Sequence, residues 1–93
     1  MASDIDEITV GYEEEGEVLV EELEKVILGR GLWTTIMFRY RERDRKTGEW
    51  SAPKATIRRY KKVSGYFRKQ DTVNVSEKTA PLVVSTLREW FNL

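Results

Sequence analysis

The chain contains no cysteine and no histidine. Without cysteine there is no disulfide and no thiolate metal site. Without histidine, the commonest general base, the commonest zinc ligand and every Ser-His or Cys-His nucleophile are missing. Carboxylate-only or lysine-based chemistry survives, but Glu21, Glu22 and Glu24 have no identifiable lysine partner in the sequence. The acidic run EEEGE, with Asp4, Asp6 and Glu7, lacks the ligand spacing of a calcium loop. GRG at 29–31 lacks the glycine spacing and the lysine of a phosphate-binding loop and reads as a turn. The expectation is a non-catalytic protein with no cofactor and no metal. Long apolar runs are also absent, none approaching the roughly 18 residues that cross a bilayer. The start, MASDIDEITV, has neither the basic nor the apolar region of a secretory signal. No membrane partner is expected, and the location expected is cytoplasmic (nucleoid-associated if bacterial).

Net charge is the third absence: 16 Lys and Arg balance 16 Asp and Glu. The neutral total hides segregation. Residues 1–28 hold ten acids and one base, whereas residues 29–69 hold thirteen bases and three acids. Blocks of this kind say more than the sum does. With 93 residues, 40% apolar and 34% charged, the chain is a single small domain. A core of that size is often supplemented by oligomerisation.

Residues 1–16 are acidic and poor in core material, and the charge run reads as a mobile tail. Ile8, Val10 and Tyr12 nevertheless alternate as in a short strand. Residues 17–93 form the domain proper. Segment 17–28 reads both ways: Leu19, Leu23, Val26 and Ile27 fit a helix, and Val18 and Val20 fit strand alternation. LWTTIMFRYRERD (32–44) is a strand, with Trp33, Thr35, Met37, Arg39 and Arg41 on one face and Thr34, Ile36, Phe38 and Tyr40 on the other. KATIRRYKK (54–62) alternates Ala55, Ile57, Arg59 and Lys61 against Lys54, Thr56, Arg58, Tyr60 and Lys62. YFRKQDTVNV (66–75) is the last strand. Ser76 is a natural N-cap, and the regular helix starts near Thr79 or Ala80 because of Pro81. The stripe Ala80, Val83, Val84, Leu87, Trp90 and Phe91 is expected to pack on the sheet, with any surplus face making a dimer. The fold class expected is α+β, a curved antiparallel sheet followed by a C-terminal helix.

Seven bases and three aromatic rings crowd into PKATIRRYKKVSGYFRK (53–69). Single-stranded nucleic acid presents phosphates for Lys and Arg and exposed base faces for flat rings. The candidates for such a surface are Arg39, Arg41, Trp50, Lys54, Arg58, Tyr60, Lys62, Arg68 and Lys69. The bland alternative is a solvated sheet face whose charges block edge pairing. A third hypothesis is that the acidic first sixteen residues fold over the basic face and compete with nucleic acid.

The order of elements, with EEL (21–23), GLW (31–33), PKATIRRY (53–60) and RKQDTVNVSEKTAPLVVSTLREW (68–90), resembles the positive-cofactor-four family of transcriptional coactivators. It is similar in particular to that family's small bacterial relatives of the YdbC type. The resemblance covers about residues 17–91. It implies a four-stranded sheet plus helix, a strand at 17–28, a homodimer, and binding of single-stranded DNA or RNA with little sequence preference. Carried over, Arg58 matches a phosphate-binding arginine, and Tyr60 (or Lys61) falls where a ring stacks on a base. Trp50 lies near the hairpin aromatic, and Arg68 matches the basic residue before the last strand. The connection at 40–53 is longer than in the bacterial relatives, and QD at 70–71 replaces a basic-glycine pair. Residues 1–16 lie outside the likeness. The rival reading is an assembly module whose basic face meets an acidic protein.

Overall fold

β-Branched and aromatic residues at alternate positions of 33–42 and 54–63 make two long strands, and the rest of the sheet is built outward from them. The computed structural model describes residues 2–93. In chain order these form a 3-10 helix (Ile5–Glu7), β1 (Tyr12–Glu14), β2 (Glu17–Gly29), β3 (Trp33–Glu42), β4 (Lys54–Val63), β5 (Tyr66–Val75) and α1 (Ala80–Phe91). The five strands pair antiparallel in the order β1-β2-β3-β4-β5. Register shifts in the β1–β2, β2–β3 and β4–β5 pairings bend the sheet, since a bulge kinks its strand and increases the local twist.

The architecture is α+β, but the sheet has five strands rather than the expected four. The additional strand comes from the acidic N-terminal run. Glu15 (φ 50°) and Gly16 (φ 82°) both take left-handed backbone and fold Tyr12–Glu14 back onto β2. That is the two-residue geometry that matches strand twist, and it needs positive φ at both positions. Ser64 (φ 52°) and Gly65 (φ 83°) repeat it between β4 and β5. Segment 17–28 is a strand despite its run of good helix formers. Pairing overrides propensity here: Glu21 and Glu24 stand opposite Arg41 and Arg39, and Val26 stands opposite Met37.

Register across the central strands defines two faces. The inner face carries Thr34, Ile36, Phe38 and Tyr40 of β3, opposite Tyr60, Arg58, Thr56 and Lys54 of β4. Ile36, Phe38, Thr34 and Thr56 are fully buried. Thr56 satisfies its hydroxyl on Asn74 Oδ1 (3.0 Å), as burial requires. The cover over this face is the N-terminal segment, not the helix. Ile8 and Val10 are buried in one cluster with Ile36, Phe38, Tyr40 and Tyr60, and Ala2, Ile5, Val20, Ile27 and Phe67 pack around it. The expected mobile tail is therefore part of the core. Its alternating apolar residues outweigh its charge because Asp4, Asp6 and Glu7 all point to solvent. Met1, which that expectation also included, lies outside the described residues.

The helix departs from expectation as well. Ser76 and Thr79 close a polar turn, with Thr79 N–H donating to Ser76 Oγ (3.2 Å) and Ala80 N–H to Ser76 O (2.9 Å). The helix proper begins after Thr79 and ends at Asn92, whose backbone is left-handed. None of its residues is buried, and Leu82, Trp90 and Phe91 are each about two-thirds exposed or more (68%, 72% and 67%). The stripe that should pack on the sheet faces solvent. On the sheet's outer face, Val26, Met37, Ile57 and Val73 stand side by side across four strands. Val26 and Val73 of that row are exposed.

Candidate nucleic-acid interface

The nine residues singled out from sequence do not form one surface. Lys54, Arg58, Tyr60, Lys62 and Lys69 belong to the inner face, whereas Arg39, Arg41 and Arg68 belong to the outer one. Trp50 sits in the β3–β4 connection, bridged to Arg43 at the end of the sheet away from the β4–β5 turn. One strand of that length spans roughly 30 Å, so the two ends are separate places.

Several of the expected phosphate ligands are already occupied. Arg41 Nε donates to Glu21 (2.9 Å), Arg39 meets Glu24 (3.6 Å), and Lys54 meets Glu42 (3.4 Å). Arg59 pairs with Asp71 directly across the ladder (2.6 Å). These are half-exposed pairs, each worth at most about 1 kcal/mol. They nonetheless explain the two charge blocks: the acids of β2 stand across from the arginines of β3. Trp50 is engaged too. Its ring carries the Arg41 guanidinium at 4.2 Å, with Arg43 at 5.9 Å. Next to it, the Asp44 carboxylate accepts from the Lys46 and Thr47 amides (2.7 and 3.0 Å). The Thr47 and Lys46 amides hold it below the ordinary carboxylate range.

Tyr60 is not a stacking platform in this conformation. It is buried in one core cluster with Ile8 and Val10. Burial pushes its phenol above the ordinary value near 10.0, and the neighbouring Arg58 guanidinium opposes that push. Arg58 is half-buried, and its Nε is enclosed with no hydrogen-bond partner among the described residues.

What remains is concentrated at one end of the sheet. The two-residue turn at Ser64-Gly65 sets Lys61 opposite Arg68 and Lys62 opposite Phe67, with Lys69 opposite Tyr60. Lys62 N–H donates to Leu32 O (2.8 Å), which brings the β2–β3 turn and Arg30 to the same end. Among the described residues Arg30, Arg58, Lys61, Lys62, Arg68 and Lys69 have no carboxylate partner, while five other basic side chains do. Exposed rings accompany them: Trp33, directly across from Lys61, and Tyr66 at the turn. Trp33 already takes cations on its face, Arg59 at 4.5 Å and Lys61 at 5.3 Å, and Lys62 lies 5.3 Å over Phe67. Cations gathered without counter-charges repel one another and are relieved by a polyanion.

Three of the nine residues, Lys62, Arg68 and Lys69, therefore share this end, and Arg58 lies at mid-strand on the inner face. Arg39, Arg41 and Lys54 are internally paired, and Trp50 lies at the far end. Arg30, Trp33, Lys61 and Tyr66 belong to the cluster but were not among the nine. The signal for Lys61 was in the sequence: a two-residue Ser-Gly turn fixes Lys61 against Arg68. No protein-family model, curated protein or solved structure matches this chain.

Proposed function

We propose that this chain is a non-catalytic single-stranded nucleic-acid-binding protein, with single-stranded DNA as its first ligand, acting in the manner of a transcription coactivator. The observation that carries this reading is the β4–β5 end. Six cations without carboxylate partners lie at or near this end, Lys61 and Arg68 on the face of Trp33 and Arg58, Lys62 and Lys69 on the other, and Trp33 and Tyr66 are both more than 40% exposed. Phosphates would lie against Arg58, Lys61, Lys62, Arg68 and Lys69, with Arg30 reaching in from the adjoining turn. Trp33 and Tyr66 offer base-sized faces, each worth roughly 1–3 kcal/mol per stacked base. The resemblance to the positive-cofactor-four family points the same way.

A second copy of the chain belongs to the proposal. The radius of gyration is 15.1 Å, against about 12 Å for a compact domain of this length. The excess reflects a flat, extended body, 47 × 37 × 17 Å, which leaves apolar surface of α1 and of the outer sheet face, including Val26 and Val73, exposed. A groove of about 910 Å³ runs between the outer face and the start of α1, with Val26, Met37, Ala55, Val75 and Ala80 among its walls. Its rim carries both signs, Glu24 and Glu77 with Arg39 and Lys78. A mixed rim suits an isologous pairing, in which each copy offers the same patch.

The test is a titration of a labelled single-stranded oligonucleotide of about 20 bases against its duplex, followed by anisotropy and tryptophan quenching at two salt concentrations. Salt-sensitive binding that prefers the single strand supports the proposal. Equal binding of both forms, or none at low salt, rejects it and favours the basic end as a docking site for an acidic protein.

A further inference from the structure

We propose that the acidic segment Ala2–Val10 competes with nucleic acid for the inner face, and that a bound strand displaces it. This rests on the nucleic-acid reading above and assigns that site its regulation. The segment begins inside the cationic end: Ala2 O accepts from Phe67 N–H of β5 (2.8 Å). Ser3, Asp4 and Ile5 share a small cleft with Gly31, Lys62 and Phe67. It then crosses the face toward β2, where Lys25 Nζ donates to both Ile5 O and Ile8 O (2.6 Å each) and Thr9 Oγ1 donates to Glu22 (2.7 Å). Ile8 and Val10 end in the buried cluster that also holds Tyr60, the one inner-face ring that the sequence puts forward for stacking.

The mode of attachment is that of a cover rather than a strand. Among the described residues its one main-chain bond to the sheet strands is the Ala2–Phe67 contact, and the rest of its hold is side-chain and apolar. Elements with few main-chain bonds to the rest of a fold open first. Its charge is fixed in place. Asp4 accepts from Asp6 N–H, and Glu7 accepts from Asp4 N–H and Ser3 Oγ, a reciprocal cap that orders the 3-10 helix. Asp4, Asp6 and Glu7 are exposed and pair with no Lys or Arg among the described residues. They therefore oppose an approaching phosphate without consuming the cations beneath. The covered face also leaves a donor unmet, Arg58 Nε.

Two variants of the full chain separate the parts. Asp4→Asn/Asp6→Asn/Glu7→Gln removes charge while keeping side chains that can still cap. Lys25→Met removes the clamp on Ile5 O and Ile8 O. The probe is an oligo-dT of about 20 bases, with affinity measured at low and high salt and amide exchange followed at residues 5–10. Neutralisation should tighten binding about threefold to tenfold at low salt, with the gain vanishing at high salt. Lys25→Met should speed exchange at 5–10 and tighten binding, and oligo-dT should speed the same exchange in the parent. Binding that slows or leaves unchanged the exchange at 5–10, or a loosened segment with unchanged affinity, overturns the inference alone. No binding by the parent and both variants overturns the nucleic-acid reading itself, and this inference with it.

Discussion

Replacing Lys61 and Lys62 by alanine should do far more to nucleic-acid binding than replacing Arg39 and Arg41, although both pairs remove two positive charges. The magnitude follows from pairing. Six basic side chains at or near the β4–β5 end lack a carboxylate, and each phosphate neutralised on a single strand contributes about 0.7 to the log–log salt slope. Six contacts per copy give a slope near −4, so that raising salt from about 50 to 200 mM weakens binding roughly 300-fold. Without Lys61 and Lys62 the slope falls to about −3 and the same change in salt costs roughly 50-fold. Arg39 and Arg41 already hold Glu24 and Glu21. Their removal frees two acids that stand away from the turn, and the slope should stay within about half a unit of the parent's. The assay is anisotropy of a labelled oligo-dT across four or five salt concentrations. If Arg39→Ala/Arg41→Ala flattens the slope as much as Lys61→Ala/Lys62→Ala does, the site is not at the β4–β5 end and the pairing logic fails.

Three further outcomes follow from the packing. Trp90→Asp or Leu87→Asp alters residues exposed in the isolated chain, so a monomer should tolerate either. We expect each instead to abolish the proposed dimer in sedimentation and to remove the concentration dependence of Tm that such association would confer. Phe38→Ala should cost about 3–5 kcal/mol in urea unfolding, since the ring is fully buried between the sheet and the N-terminal segment. A loss under about 1 kcal/mol would place the core elsewhere. Tyr60 has a folded pKa above its unfolded value, so folding holds its proton more tightly. Its contribution is complete below pH 10 and is lost as pH climbs beyond it. Tyr60→Phe should therefore flatten the decline of the urea midpoint above pH 10, and an unchanged decline would assign the alkaline sensitivity to other groups.

β3, β4, β5 and the start of the helix were legible because local rules fixed them, whereas residues 17–28 read both as helix and as strand. β-Branched alternation marked β3 and β4, VSG (63–65) marked a turn that the structure narrows to Ser64-Gly65, and Pro81 held the helix back to Ala80. β1 was harder to see. Tyr12–Glu14 is too short and too acidic to read as a strand alone, and it forms because Glu15-Gly16 returns it to β2. The nine candidate residues illustrate the limit of periodicity. Alternation sorts each strand into two faces but does not say which face of β3 continues which face of β4. Only register puts Arg39 beside Ala55 rather than beside Arg58. Burial was misjudged for a related reason. An acidic segment looks unfit for a core when charge is averaged over it, yet Ile8 and Val10 turn inward while Asp6 and Glu7 do not.

The neutral total and the basic end are compatible once pairing is subtracted. Five ion pairs leave eleven acids and eleven bases without such a partner among the described residues. About half of the survivors are sorted by place, while the β3–β4 connection, β2 and the helical end keep both signs. Asp4, Asp6 and Glu7 lie on the N-terminal cover, and Glu13, Glu15 and Glu17 line the β1 edge. Arg58, Lys61, Lys62, Arg68 and Lys69 lie on β4 and β5, and β5 forms the opposite edge of the sheet. The two sheet edges thus carry opposite surpluses, and the acids of the N-terminal cover lie between them on the inner face. A polyanion approaching from outside the screening distance of roughly 8 Å sees little net charge. Inside that distance it is turned toward β5 and away from β1. Such a protein should lose affinity with salt as steeply as a basic one while showing little nonspecific attraction at long range. That combination follows from the placement of charge and not from its sum.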